Sequence, residues 1–161
     1  MKSSSGTKRK YLKSKEIRQL AKETYERLGT EIGSEKVEEE SPSENAKLFR
    51  VEDRPLFIRI GEMLLPTLTN QEDLDRLPSV VVDMGAVPYI CGGADVMAPG
   101  IRQVKGEFTA SSLVVIRDER HGKALSVGVS LMKSEDMRST KKGKAVKNVH
   151  YVGDKLWEIY K

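Results

Sequence analysis

The sequence predicts an α+β domain followed by a mainly-β pseudobarrel with short helices. Three observations lead to this prediction: an amphipathic helix near the N-terminus, a change of composition at Pro78, and a series of short β-branched segments between Gly and Pro turns beyond it. Short strands separated in this way are typical of small barrels and sandwiches. We therefore predict two domains, at residues 1–77 and 78–161.

The first domain begins with a basic segment and a helix. Residues 1–13 are polar and basic, and we predict that they are flexible. A helix follows, with Ser14 as its N-cap and Gly29 at its end, because Ser commonly caps helices and Gly commonly stops them. Its apolar residues recur at helical spacing: Ile17, Leu20, Ala21, Tyr25 and Leu28.

Three short strands and a second helix complete the first domain. The strands are predicted at residues 36–40, 47–51 and 56–60. The segment Ser41-Pro42-Ser43 separates the first two strands, and the segment from Glu52 to Pro55 is typical of a hairpin turn. A short helix is predicted between Asn70 and Leu77.

The second domain is predicted to consist mainly of short strands. These strands are expected at residues 79–83, 113–117, 123–132 and 145–151. A short helix is expected from Pro88 to Cys91 and a brief helical turn at residues 134–138, with one further turn from Ala94 to Ala98; residues 154–160 follow the last strand. A basic loop at residues 139–144 precedes the last strand.

The charge of the chain is unevenly distributed. The net charge is +4; residues 1–77 contain 15 Lys+Arg and 15 Asp+Glu, whereas residues 78–161 contain 13 and 9. The surplus therefore lies in the second domain, as expected of a surface that binds phosphates. Solubility alone accounts for such a surplus equally well.

The composition argues against several classes of protein. No apolar run approaches the roughly 20 residues that a transmembrane helix needs, and no secretory signal is evident. A single cysteine, Cys91, indicates a reducing compartment, so we expect a cytoplasmic protein. His121 and His150 lie far apart and have no cysteine partners, which disfavours a zinc site. We predict no metal, no cofactor and no membrane partner.

A series of motifs runs in one order through the second domain. The motifs are Val82–Ala86 (VDMGA), Gly93–Ile101 (GADVMAPGI), Ala124–Gly128 (ALSVG), Gly143–Val146 (GKAV) and His150–Trp157 (HYVGDKLW). Together they resemble the PUA domain, named after pseudouridine synthases and archaeosine transglycosylases. The resemblance implies a PUA-type pseudobarrel.

The closing motif narrows this resemblance. His150-Tyr151, Asp154 and Leu156-Trp157, preceded by Ser134 and Asp136, resemble the malignant T-cell-amplified-sequence proteins, their yeast translation-machinery-associated relatives and archaeal proteins of the same layout. Those proteins carry a small α+β "pre-PUA" domain before the PUA domain. The resemblance implies an RNA-binding protein of the translation or RNA-modification machinery, with tRNA or rRNA as ligand and the ribosome or a translation factor as a further partner.

The resemblance also implies a binding groove around the second motif. Gly92 and Gly93 have no Cβ, so a ligand could approach their backbone, and amides at the start of the Ala94 turn would suit a phosphate or ribose oxygen. Basic residues nearby could neutralise phosphates. The candidate RNA-binding residues are Gly92, Gly93, Ala94, Asp95, Met97, Pro99, Gly100, Arg102, Lys105, Val127, Gly128, Lys141, Lys142 and Lys144.

These residues also have structural interpretations. The glycines and Pro99 could serve only to turn the chain, and Asp95 only to cap a turn. Met97 and Val127 are also typical of a hydrophobic core, and the lysines of an ordinary solvated face. Likewise, Trp157 and Tyr160 either stack on bases or pack against the barrel.

We predict no catalytic residues. The first domain is too short for a pseudouridine synthase or transglycosylase catalytic domain, and no Gly-rich nucleotide-binding motif occurs. An alternative hypothesis is a protein-interaction module, with RNA contact incidental. Its candidate surface is the acidic segment Glu38–Glu40 together with Leu64 and Leu65, which we expect to be exposed.

Overall fold

The computed structural model describes residues 7–33 and 36–161, which form two compact units that divide between Asp73 and Leu74. The predicted domain boundary, between residues 77 and 78, lies shortly beyond this division. Residues 1–6 belong to the segment predicted to be flexible and lie outside the described residues.

The first unit is an antiparallel sheet with one long helix. Its strands pair in chain order: β1 (Lys8–Tyr11), β2 (Val37–Ser43), β3 (Ala46–Val51), β4 (Arg54–Ile60) and β5 (Met63–Pro66). Helix α1 (Ser14–Leu28) connects β1 to β2. Leu48, Phe57 and Ile58 are fully buried in the sheet, and α1 buries Leu20, Thr24 and Leu28. The α+β character predicted for this part of the chain is confirmed.

The ends of α1 show how the sequence sets its length. Gly29 has a φ of 72°, and the N–H of Thr30 donates to the carbonyl of Thr24, a common helix-ending arrangement. The predicted N-cap is wrong by one residue, because Ser14 is already helical and Lys13 precedes the helix. The backbone N–H of Lys13 donates to the Glu16 carboxylate at 2.9 Å, so Glu16 stabilises the start of the helix.

Three expectations for the first unit are wrong. Residues 8–11 form the edge strand β1, where we expected flexible chain. Pro42 lies inside β2, at a register irregularity between Glu40 and Ser43, where its missing N–H is tolerated. Leu64 and Leu65 are buried on β5, because β5 pairs with β4 and completes the sheet. The predicted hairpin turn at Glu52 and Asp53 is confirmed, and both residues have positive φ.

The second unit is a six-stranded sheet with short helices around it. Its strands are β6 (Ser79–Val82), β7 (Val96–Met97), β8 (Ile101–Lys105), β9 (Leu113–Asp118), β10 (Ala124–Ser130) and β11 (Lys144–Tyr151), in the spatial order β7-β11-β10-β9-β6-β8. All pairs are antiparallel except β6 with β9. Valine and isoleucine side chains from β6, β9 and β11 form one hydrophobic core. The predicted mainly-β pseudobarrel is confirmed.

Short helices and turns connect these strands. Helix α2 (Gln71–Arg76) precedes β6, and α3 (Val87–Ile90) follows a turn of 3-10 helix at Met84–Ala86. Helices α4 (Ser134–Ser139) and α5 (Lys155–Tyr160) flank β11. The predicted turn from Ala94 to Ala98 is wrong: Val96–Met97 is a strand, and the 3-10 turn follows at Ala98–Gly100. Strand β8 was not predicted.

No helix within the described part of the chain is long and apolar enough to cross a membrane.

Candidate nucleic-acid interface

An apolar cleft opens on the second unit between α3, the turn before it and β7. It encloses about 340 Å³, and small residues line it, among them Gly85, Ala86 and Ala94. Two large side chains on its lining remain exposed: Tyr89 on α3 at 71% and Met97 on β7 at 46%. An apolar hollow with an exposed aromatic side chain suits a flat ring, such as an unstacked nucleobase.

The double glycine shapes this cleft by ending α3. The N–H groups of Gly92 and Gly93 donate to the carbonyls of Tyr89 and Ile90. Gly93 has a φ of 97°, and a Cβ at this position would lie 2.8 Å from the Tyr151 hydroxyl. The backbone angle strongly favours glycine there, and a side chain would also have to displace the ring of Tyr151.

The expected amide site for a phosphate is not available. The N–H of Ala94 donates to the carbonyl of Tyr89 at 2.9 Å, and the N–H of Gly93 is likewise paired. These donors close the turn after α3, so they do not point at a ligand. The hypothesis of a phosphate on the backbone at the start of an Ala94 turn is therefore wrong.

Asp95 holds the strand that borders the cleft. Its carboxylate accepts the backbone N–H of Asn148 at 2.9 Å and lies 3.3 Å from Lys144 Nζ. The hydrogen bond from Asn148 lowers the pKa of Asp95 below its ordinary value of 3.8, and the nearby positive charge of Lys144 lowers it further. Asp95 is therefore a charged anchor between β7 and β11, and Lys144 is one of its partners.

Asn148 is a residue that the sequence reasoning missed. Its side-chain amide donates to the carbonyls of Ile90 and Ala94, both at 3.0 Å, and its side-chain oxygen accepts from Ser126. It thus ties the chain after α3 to β10 and β11. No local signal marks it, because an asparagine on a strand has no distinctive neighbours.

Val127 and Gly128 lie inside the sheet and do not line the cleft. Val127 is fully buried, at 0% exposure. A Cβ on Gly128 would lie 2.5 Å from the carbonyl oxygen of Lys147 on β11, where the pairing of β10 with β11 is irregular. The expectation that these two residues contact RNA is wrong, because close strand packing accounts for both.

A second, polar pocket lies on the other side of the Ala98–Gly100 turn. It encloses about 330 Å³ and is lined by Arg102 and Arg138, among other residues. Arg102 lies 3.3 Å from Asp83 and 3.9 Å from Glu119. Arg138 donates to the carbonyl of Gly106 at 2.8 Å, which fixes its guanidinium against β8. Lys105, at the end of β8, is exposed.

The basic loop lies directly beside the cleft. The N–H of Ala98 donates to the carbonyl of Gly143 at 2.8 Å, which attaches the loop to the Ala98–Gly100 turn. Lys141 and Lys142 are exposed, and neither forms an ion pair with any residue in the described part of the chain. The loop that carries these two uncompensated ammonium groups is therefore attached to the residue that follows Met97 of the cleft lining.

Tyr89 is the other residue that the sequence reasoning missed. It precedes the double glycine and follows Pro88, and its side chain is the most exposed of the large apolar residues described. An aromatic residue on so short a helix is a weak signal, because burial is its usual position.

The C-terminal aromatic residues are structural. His150 is fully buried and hydrogen-bonds Asp154 through Nδ1 and Tyr160 through Nε2. Trp157 packs edge-on against Tyr160, with ring centroids 5.7 Å apart. Burial tends to raise the pKa of Asp154. Hydrogen bonds from the His150 ring and from the backbone N–H of Trp157 outweigh this effect, so the pKa of Asp154 is lowered. Burial raises the pKa of the Cys91 thiol, which makes this group a poor nucleophile.

The surface expected for the alternative hypothesis is largely absent. Glu39 and Glu40 are buried, and Leu64 and Leu65 are in the core. Glu40 lies 2.7 Å from Arg50, Glu39 lies 3.4 Å from Lys47, and Glu38 lies 2.6 Å from Arg9. The acidic segment is therefore neutralised within its own sheet.

Sequence comparisons relate the chain to known proteins. Residues 78–152 match the family model described as the PUA domain. An uncharacterized protein of Methanocaldococcus jannaschii is 35% identical over 158 residues, covering 94% of this chain and 96% of that protein. Translation machinery-associated protein 20 of Eremothecium gossypii is 32% identical over 124 residues, covering 73% and 68%. Malignant T-cell-amplified sequence 1-B of Xenopus laevis is 35% identical over 121 residues, covering 72% and 67%.

A solved structure aligns with nearly the whole length of the chain. The crystal structure of a hypothetical protein from Pyrococcus horikoshii OT3 aligns with a TM-score of 0.81 and 30% identity, covering 96% of this chain and 100% of that one. The similarity thus includes the first unit as well as the second. The resemblance inferred from the motifs is confirmed.

Proposed function

Because this chain belongs to the PUA-domain family of the translation machinery-associated and malignant T-cell-amplified-sequence proteins, we propose that it is an RNA-binding protein of the translation machinery, with tRNA or rRNA as its ligand. The observation that carries the proposal is the apolar cleft with exposed Tyr89 beside the unpaired Lys141 and Lys142. This arrangement offers an RNA strand a place for a base next to a place for its phosphates.

The chemistry of the cleft favours an unpaired nucleotide over a duplex. Sequence-specific proteins usually contact RNA at loops and ends, where bases can leave the stack and pack on aromatic side chains. Tyr89 and Met97 offer such a surface, and the hollow of about 340 Å³ has room for one base. A strand end or a loop nucleotide is therefore the proposed occupant.

Phosphate contacts come from the borders of the cleft. Lys141 and Lys142 have no partner among the described residues that must first be displaced, so they can neutralise phosphates directly. Arg102 on β8 extends the basic border, although it already faces Asp83 of the cleft lining, and Lys105 lies further away, at the end of the same strand. Lys144 contributes less, because it is paired with Asp95.

In this proposal the protein binds RNA and does not catalyse a reaction, and the compartment in which it acts is the cytoplasm. The ribosome or a translation factor remains a proposed partner, consistent with the names of its relatives. Within the described residues, the surface expected for the protein-interaction module does not favour that alternative, because the acidic segment and the leucines expected to form it are neutralised or buried.

A titration against tRNA with and without its 3′ CCA end, at two salt concentrations, tests this proposal. We expect salt-dependent binding that weakens when the CCA end is removed, because the terminal nucleotides are unpaired. If the affinity does not depend on the CCA end, the proposed ligand is instead an RNA loop or a site on ribosomal RNA. If the protein binds neither tRNA nor ribosomal RNA fragments at the lower salt concentration, the proposal is wrong.

A further inference from the structure

The outward face of α1 carries a line of cations and ends in an exposed aromatic residue. Lys15, Arg18, Lys22 and Tyr25 follow one another at intervals of three or four residues, which places them on one face of a helix. All four are exposed, and Tyr25 is 61% exposed. The opposite face packs on the sheet through Leu20, Thr24 and Leu28. We call these four residues the basic face of α1.

The cations of the basic face have no partner in the part of the chain that the structure describes. The acidic residues that could neutralise them are engaged elsewhere. Glu16 accepts from Lys10 Nζ at 3.2 Å, and Glu23 binds Arg59 through two hydrogen bonds of 2.7 and 2.8 Å. The hydrogen bonds from Arg59 also lower the pKa of Glu23, so its charge is already committed.

One carboxylate remains near this face, and it does not cancel the charge. Glu26 is exposed and lies four residues after Lys22, a spacing that permits an ion pair. No such pair is formed among residues 7–33 and 36–161. The basic face therefore retains a net positive charge.

This arrangement is unfavourable for the helix itself. Lys15 and Arg18 are like charges three residues apart, and Arg18 and Lys22 are like charges four residues apart, so both pairs repel. Lys15 also lies in the first turn, where the helix dipole favours anions. The aromatic ring of Tyr25 is exposed to water, which is unfavourable for an apolar surface. A ligand that brings anions to this face would remove these costs.

We infer that the basic face of α1 is a second RNA-binding surface, which takes the sugar–phosphate backbone through its three cations and a base or ribose through Tyr25. The inference rests on the proposed RNA function but concerns the other unit of the chain. Lys15 and Lys22 are seven positions apart along the helix, a length of roughly 10 Å, which suits successive phosphates of one strand.

The chemistry of the face favours RNA over other anionic partners. A protein interface needs an apolar centre, whereas this face has one aromatic residue at its end. A membrane surface would require apolar residues beside the cations to insert among lipids, but the apolar side of α1 is buried on the sheet. A line of cations with one ring is typical of contacts to a single nucleic-acid strand.

The test replaces Lys15, Arg18 and Lys22 together by Gln, which keeps helix propensity while removing three charges. The probe is a mixed-sequence single-stranded RNA, with tRNA in parallel, titrated over a range of salt. We expect at least about a tenfold loss of affinity at low salt, and a slope of log affinity against log salt that becomes shallower by about 2. Tyr25→Ala should weaken binding without changing the slope, and Tyr25→Phe should retain it.

A matched control removes the same charges elsewhere. Arg120, Lys123 and Lys155 are exposed and lie outside both the cleft and the basic loop, so Arg120→Gln, Lys123→Gln and Lys155→Gln together should leave the slope nearly unchanged. Thermal unfolding of the α1 variant should occur at the wild-type midpoint or higher, because its like-charge pairs are gone.

The outcomes separate this inference from the proposed function. If the α1 variant and the control bind alike while Tyr89→Ala weakens binding, the cleft binds RNA and the basic face does not. If the α1 variant keeps its RNA affinity but loses a nuclease-resistant protein partner, the face is a protein interface and the inference is overturned. If the wild-type protein binds no RNA, both proposals are overturned.

Discussion

Two parts of the PUA domain differ in what their residues do. Around Gly128, where β10 crosses β11, the backbones approach so closely that a side chain has no room. Around Tyr89, at the cleft, a large side chain stands in solvent although a core is close by. The domain therefore combines residues that build the sheet with residues that are free to bind. Burial distinguishes the two kinds: Gly128 is buried although it belongs to a motif, and Tyr89 is exposed although it lies outside the motifs.

Gly128→Val should have the largest effect on stability. The new Cβ would lie 2.5 Å from the Lys147 carbonyl oxygen and 2.7 Å from Val146 Cγ1, so β10 and β11 must separate. We expect the free energy of unfolding to fall by about 3 kcal/mol or more. Urea unfolding measures this loss. Gly122→Ala is the control: its Cβ meets nothing within 4 Å, so only its φ of 67° costs energy, about 1 kcal/mol.

A Gly128→Val protein as stable as the Gly122→Ala protein would contradict the structural role assigned to Gly128. Its position in the motif would then call for a ligand contact after all.

Tyr89→Ala should affect binding and spare the fold. The side chain is 71% exposed, so its removal should shift the thermal midpoint little. Loss of a stacking partner should weaken RNA binding by about 1–3 kcal/mol. Tyr89→Phe should retain affinity, because the ring is kept. Leu131→Ala removes an apolar side chain that is 47% exposed and lies outside the cleft, and it should bind RNA as the wild type does.

Equal loss of affinity in the Tyr89 and Leu131 variants would mean that Tyr89 has no specific role. A large fall in thermal midpoint on Tyr89→Ala would instead assign it to the core, and the contrast with Gly128 would disappear.

Replacing Lys141 and Lys142 together by Glu should weaken RNA binding by about tenfold and reduce its salt dependence, because two phosphate contacts become repulsive. Neither lysine has an ion pair within residues 7–33 and 36–161, so stability should not change. Salt-dependent fluorescence titration checks the slope. Arg120→Glu with Lys123→Glu is the charge-matched control. If that variant loses as much RNA affinity, the two loop lysines act only through the overall charge and make no specific contact.

The sequence predicts features that depend on neighbouring residues and misses those that depend on distant ones. Helix α1 and the turn at Glu52–Asp53 follow from spacing and turn chemistry within a few residues. The motif order leads to the pseudobarrel, because each motif is a short run of consecutive residues. Counts of charged residues, however, do not predict where an interface lies, because they do not show which cations already form ion pairs.

Long-range contacts explain several of the wrong expectations about the site. Leu64 and Leu65 are buried because β5 pairs with β4, and the charge of Glu40 is neutralised by Arg50 on the adjacent strand. Asn148 bonds carbonyls that lie 58 and 54 residues before it. No periodicity in the sequence encodes such partners, so the identity of the free lysines and the free aromatic ring required a structure.

Asp95→Asn should have the smallest effect, and this effect should be largest at neutral pH and shrink in acid. Asn can still accept the Asn148 N–H, but it loses the charge that faces Lys144 Nζ, so stability at neutral pH should fall by less than about 1 kcal/mol. The pKa of Asp95 is lowered in the folded protein, so the unfolded chain binds more protons than the folded one as the pH falls below about 4. The stability that the carboxylate contributes is therefore complete above that pH and is lost as the pH falls through the lowered pKa.

Urea unfolding of both proteins, at neutral pH and again below the ordinary pKa of aspartate, checks this prediction. The gap between wild type and Asp95→Asn should narrow in acid, because protonation removes from the wild type the same charge that the substitution removes. A gap that stays constant with pH would mean that the charge of Asp95 does not hold β7 to β11. The wall of the cleft would then depend on the neutral hydrogen bonds of Asn148 alone, which makes Asn148→Ala, rather than any change at Asp95, the substitution that should open it.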